Sequence, residues 1–226
     1  MMITLVLALI GLQETPPTPP SPPSVAPGLD SDVFQHPLAE PRPAGWQEVS
    51  KRLRAKPVFR AKFEQKKKLV ALKRPLRSSG EFLFCADRGV CWDTLEPHPI
   101  LFVLSPRGLF QKVEGEEPVE VKAADQPMVR QMSRVFLSLF SGDEEQLLEN
   151  FQVFFSGDEK GWELGLEPRG SVMKKVITRI VLAGRDTIHS LTMIEASGDR
   201  TEIEFEPRLG LPAELTPEEE RRLGKG

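Results

Sequence analysis

Apolar positions along this chain repeat with two different periods. From residue 58 they alternate with charged ones: Phe59, Ala61 and Phe63 fall on one side, Arg60, Lys62 and Glu64 on the other. A period of two is the mark of a strand with one buried face. Further strands are predicted at 81–85, 90–95, 100–104, 109–113 and 119–121. Gly, Pro and Asp punctuate them at Asp87-Arg88-Gly89, Pro97, Pro99 and Ser105-Pro106-Arg107-Gly108. The period then changes. Met128, Val129, Met132, Val135, Phe136, Leu139 and Phe140 follow i, i+3, i+4, i+7, predicting a helix over 127–140 with one strong apolar face. A second helical turn is predicted at 144–148, and a short helix at 46–56 that Pro57 ends. Strands return at 151–155, 162–166, 172–182, 187–196 and 201–206. Short strands joined by hairpin signals predict an antiparallel sheet with helices, mainly β. One amphipathic helix across the open side of a large curved sheet would enclose an apolar cavity.

The first 45 residues follow neither period. Ten of the 21 prolines precede Trp46, and residues 15–27 read TPPTPPSPPSVAP. Such a stretch favours polyproline II and buries no core. Residues 3–12, ITLVLALIGL, are apolar except Thr4. That length suits the central region of a secretory signal and is too short to span a bilayer. The expected organisation is a signal-like segment over 1–14, a Pro-rich linker over 15–45 and a domain over 46–226.

Composition narrows the chemistry. Thirty Lys and Arg against 33 Asp and Glu give a net charge of −3, which argues against a general nucleic-acid backbone binder. Two cysteines and three histidines nearly exclude a Cys/His zinc site. None of the common catalytic motifs occurs. His36 and His98 lie in loops and His189 in a strand, with no nucleophile or carboxylate nearby in sequence. The expectation is a protein that is not an enzyme and uses no cofactor or metal. Lys66, Lys67 and Lys68 read as a solvated strand end. Cys85 and Cys91 flank the Asp87-Arg88-Gly89 turn and are a disulfide candidate if they sit opposite each other; two small buried thiols, or two on opposite faces, fit the same spacing.

An ordered series of features resembles the periplasmic outer-membrane lipoprotein carriers of Gram-negative bacteria, LolA and its relatives. It comprises Phe63-x-Gln65, Ser79-Gly80 opening a strand, Trp92 with Pro97 five residues on, a glycine turn at Gly108, and Trp162-x-Leu164-x-Leu166-x-Pro168. The strands at 177–182, 188–195 and 198–205 resemble the family's closing strands, so the likeness runs over about 59–205. PLRSSGEFLF with GVCWDT looks nearest to a subgroup associated with export of other acyl lipids.

The resemblance implies an incomplete, strongly curved antiparallel barrel closed by a helical lid. It also implies a periplasmic, monomeric carrier that shields lipoprotein acyl chains between an inner-membrane exporter and an outer-membrane acceptor. A carrier of another acylated lipid or glycolipid is the first alternative, a lipid-acting hydrolase the second. Candidate wall residues are Phe63, Phe82, Phe84, Trp92, Phe102 and Trp162; candidate lid residues are Met132, Phe136, Leu139 and Phe140. One departure stands out. The main carriers place a lid-holding arginine six residues before the tryptophan, where this chain has Ala86, with Arg88 nearby.

Overall fold

A computed structural model describes residues 32–158 and 160–224. The signal-like segment 1–14 and the linker up to residue 31 lie outside the described residues. The elements are α1 (Ala44–Arg54), β1 (Val58–Lys68), β2 (Leu76–Cys85), β3 (Gly89–Glu96), β4 (Ile100–Ser105), β5 (Gly108–Val113) and β6 (Val119–Lys122). Then come α2 (Pro127–Ser141), α3 (Glu144–Asn150), β7 (Phe151–Asp158), β8 (Gly161–Pro168), a helical turn α4 (Ser171–Lys174), β9 (Ile177–Gly184), β10 (Ile188–Glu195), β11 (Arg200–Pro207) and α5 (Pro217–Leu223).

All eleven strands form one antiparallel sheet in the order β6-β5-β4-β3-β2-β1-β11-β10-β9-β8-β7. Its edges, β6 and β7, do not pair, so the sheet is open. Laid flat it would measure roughly 48 Å across. The helix α2 is only about 22 Å long. Nevertheless α2 packs on β3 and β5 while its neighbour α3, and α1 beside them, pack on β7. This fits a sheet curved toward its helices.

Alternation sets the two faces. On the helix-covered face, called inner here, Ala61, Phe63, Phe82, Phe84, Val90, Ile203 and Phe205 join Leu139, Phe140 and Leu147 in the main core. Leu83, Cys85, Cys91 and Val103 point the other way and pack with Leu223 of α5 in a second core.

The helix boundaries have local causes. Pro127 sits in the first turn of α2, where its missing N–H costs nothing, and Gly142 ends it with φ of 68°. A Cβ there would come within 2.9 Å of Leu53 Cβ. Asp143 caps α3 by accepting from Gln146 N at 3.2 Å. Thr216 and Glu219 form a reciprocal capping box at the start of α5.

Two sequence readings change. Residues 33–38, assigned to the linker, are packed on the sheet, and Ala44 and Gly45 already belong to α1. Val33 is fully buried against Phe154 and Val181. Phe155 N donates to His36 O, and Leu38 N donates to Val153 O, both at 2.9 Å. Pro37 lies between them in a bridge to Phe154, at an edge where a missing N–H is tolerated. Its prolines look like linker because an added edge segment accepts them equally well. The strand expected at 172–182 starts later, at Ile177, after α4. Met173 and Val176 both reach the main core, at a spacing of three that suits a helical turn.

Candidate functional site

The inner face beneath α2 is a cluster of aromatic rings. Phe63 on β1 lies 4.9 Å from Trp92 on β3, and Phe82 on β2 lies 5.0 Å from the same indole. Phe140 of α2 reaches down to Phe82 at 4.9 Å and to Phe84 at 5.7 Å. Phe205 on β11 completes the group, 5.1 Å from Phe82 and 6.2 Å from Phe140. These separations are those of touching rings. Register explains the convergence: Phe63 opposes Phe205, Ala61 opposes Phe82, and Phe82 opposes Trp92.

The expected residues therefore divide. Phe63, Phe82, Phe84, Trp92 and Phe140 form one group, and Leu139 is buried in the same core. Phe136 is half-buried at its margin. Phe102, opposite Trp92, joins Leu104, Leu109, Val129 and Phe136 in an adjoining cluster under the start of α2. Met132 is buried on the same helix. Trp162 is buried in the same main core but outside the ring contacts: its indole N–H donates to Arg185 O at 2.8 Å and its ring lies over Gly184. Sequence reasoning passed over Phe205 and did not carry Phe59 into the site. Phe59 lies 5.9 Å from Phe82 and 6.0 Å from Phe205. The alternation of Thr201, Ile203 and Phe205 was the available signal.

In this conformation the expected cavity is filled by these rings. Phe63, Phe82 and Phe84 are each 1% exposed. Open grooves of about 530 and 490 Å³ lie instead where β1 meets β11, rimmed by Lys62, Glu64, Glu204, Glu206 and Arg208. At the end of the inner face nearest the β1–β2 turn, Lys67 Nζ sits 3.0 Å from Glu195 Oε1, both side chains nearly buried. Burial pushes the Glu195 carboxyl up, and Lys67 opposes it. Among the described residues no group of His, Cys, Asp or Glu is arranged to hold a metal ion.

The cysteine reading is corrected. Cys91 opposes Leu83 and Cys85 opposes Gly89, so the two are diagonal neighbours, both are buried, and no disulfide joins them. Diagonal positions stand about 7–8 Å apart, beyond easy disulfide reach.

Residues 39–206 match the model of a family described as outer membrane lipoprotein carrier protein LolA-like. The chain belongs to the LolA-like family. No curated protein matches it. Similar solved structures include a LolA superfamily protein from Nitrosomonas europaea, 10% identical over 75% of this chain and 96% of that one, TM-score 0.41. LprF from Mycobacterium bovis is 9% identical over 75% and 94%, TM-score 0.37. A chain of the MucA/MucB complex of Pseudomonas aeruginosa is 13% identical over 76% and 60%, TM-score 0.31.

This LolA-like chain has no arginine six residues before Trp92. Ala86 packs against the main core and Arg88 is exposed in the β2–β3 turn. The corner between α2 and α3 is fastened from α1 instead. Glu144 accepts from Arg42 Nε and from Trp46 Nε1, each at 2.6 Å, and Ser50 donates to Gly142 O at 3.2 Å. Among the described residues no helix is long and apolar enough to cross a membrane.

Proposed function

We propose that this chain is a non-enzymatic periplasmic carrier that shields the acyl chains of lipoproteins on their way from inner to outer membrane. The helix α2 is the lid and the aromatic sheet face the wall. The observation that carries this reading is the ring cluster split between lid and wall, with Phe140 against Phe82 and Phe84. Each exposed CH₂ costs about 0.8 kcal/mol in water. An acyl chain sliding between α2 and the sheet exchanges one apolar contact for another, so opening is offset by cargo burial. The clasp of Arg42 and Trp46 on Glu144 holds one end of the lid, leaving the length of α2 free to lift about it. Membership of the LolA-like family supports the same reading.

Phe136→Ala tests it. Phe136 is half-buried at the lid margin, so truncation should cost about 1–2 kcal/mol, below the roughly 3–5 kcal/mol of a fully buried phenylalanine. Affinity for a fluorescent fatty-acyl probe should fall several-fold. A wild type that binds no probe, together with a large loss of melting temperature in the variant, would show α2 to be plain core. Mass spectrometry of co-purified lipid then identifies the cargo, a lipoprotein acyl group or another acyl lipid.

A further inference from the structure

The β1–β2 connection has no place in the cargo site. Residues 66–77 read KKKLVALKRPLR, with six basic residues and no acidic one. Lys67 is drawn inward to Glu195. Lys68, Lys73, Arg74 and Arg77 are exposed. Between them the turn displays apolar side chains to solvent: Val70 is 61% exposed and Leu72 44%. Leu69 and Leu76 are half-buried below them.

The display is held in place. Leu72 N donates to Leu69 O at 3.1 Å, forming the turn. Val70 N donates to Asp199 Oδ1 at 2.8 Å, tying the turn to the neighbouring β10–β11 hairpin. A further feature works against stability. Lys66 and Arg77 oppose each other directly across β1 and β2, and like charges so placed destabilise a strand pair. Glu202 faces Lys66 from the other side, on β11. A hairpin that served only to connect two strands would gain nothing from exposed valine and leucine inside a ring of cations.

We propose that this hairpin tip docks the protein on an anionic bilayer surface. Val70 and Leu72 enter the headgroup boundary, while Lys68, Lys73, Arg74 and Arg77 meet the lipid phosphates. Apolar side chains flanked by basic ones are what such a surface recognises, since insertion and charge attraction add. The inference does not depend on cargo carriage: it concerns where the protein rests, not what it holds.

The test is sedimentation of the full chain with vesicles of phosphatidylcholine, with and without phosphatidylglycerol, at low and high salt. Wild type should bind the phosphatidylglycerol vesicles preferentially and lose binding as salt rises. Val70→Ser with Leu72→Ser should reduce that partition about tenfold. Lys68, Lys73 and Arg74 changed together to Gln should reduce it on the order of a hundredfold and remove the lipid preference. All five positions are exposed, so melting temperature and acyl-probe binding should stay at wild-type values, which separates docking from carriage. Equal sedimentation of wild type and both variants would place membrane affinity elsewhere in the chain and overturn the proposal. So would absence of wild-type binding, or variants that lose a protein partner while keeping the vesicles.

Discussion

The two faces of the sheet are covered by different means. Over the inner face, α2 meets the strands through rings: Phe140 on Phe82 and Phe84, with Leu139 beside it. Over the outer face, α5 buries Leu223 against Leu83, Cys85, Cys91 and Val103, but it is also clamped by charge. Arg60 grips Glu219 with both arms, Nε to Oε1 at 2.6 Å and a terminal nitrogen to Oε2 at 2.8 Å. Arg222 reaches Asp93 at 2.8 Å. Apolar contact is non-directional, so rings re-pack when a helix shifts. Bidentate charge-assisted bonds are directional and fix one register. The contrast bears on the proposed lid: beyond the corner held by Glu144 and Ser50, the inner helix meets the sheet through apolar side chains, whereas the outer one is pinned by charge.

The largest test of this contrast is Phe82→Ala. Phe82 touches rings on β1, β3, β11 and α2, so stability in a urea titration should fall by about 3–5 kcal/mol. A loss near 1 kcal/mol would mean that the cluster collapses to fill the gap, and the inner packing would then be far looser than the outer. Leu223→Ala should cost about 2 kcal/mol by the same titration, at the low end for leucine because it lies at the end of α5. No loss would show that the charge clamp alone retains the helix.

A smaller effect comes with acid. The Arg60 hydrogen bonds, reinforced by the Thr216 backbone N–H, hold the Glu219 carboxyl down from 4.5 to about 2. A carboxylate whose value is depressed by folding adds stability above its unfolded value. That stability is lost as pH falls from about 4.5 toward 2. The pair is partly exposed and screened, so about 1 kcal/mol is expected. Burial raises the neighbouring Asp93 carboxyl; its protonation is favoured in the fold and offsets part of the loss. The urea midpoint of wild type minus that of Glu219→Gln should narrow below pH 4.5. A constant difference would remove the clamp from the comparison. The smallest effect is on reactivity. Cys85 and Cys91 lie under α5, so native protein should take up a thiol reagent slowly and denatured protein two equivalents. Fast native labelling would mean that the outer cover opens as readily as the inner.

Much of this was legible in the chain. The alternation around Phe59, Ala61 and Phe63 and the helical spacing from Met132 to Phe140 reported the faces correctly, because a half-buried strand or helix must repeat with its own period. The partners of those faces were not legible. Nothing local says that Phe205 lies opposite Phe63, since register is settled by pairing across the whole chain. The same limit left the pairing of Cys91 open between a disulfide with Cys85 and a buried thiol, until the turn set it against Leu83. The helix α5 was legible in principle: Thr216, Pro217 and Glu219 spell a capping box with proline in the first turn.

The position of the first and last strands has a consequence for how the protein is made. β1 and β11 pair at the middle of the sheet, so each arm, β1 to β6 and β11 to β7, is a meander of neighbours in sequence. The arms can form early from local hairpins, but each then ends in a bare central edge until β11 pairs with β1. The sheet is thus completed only once both arms are available. The α2–α3 corner is the covalent bridge between the outer edges of the two arms. Separate polypeptides ending and starting at Gly142 would each keep a whole meander, and they would find each other through the seam of β1 and β11.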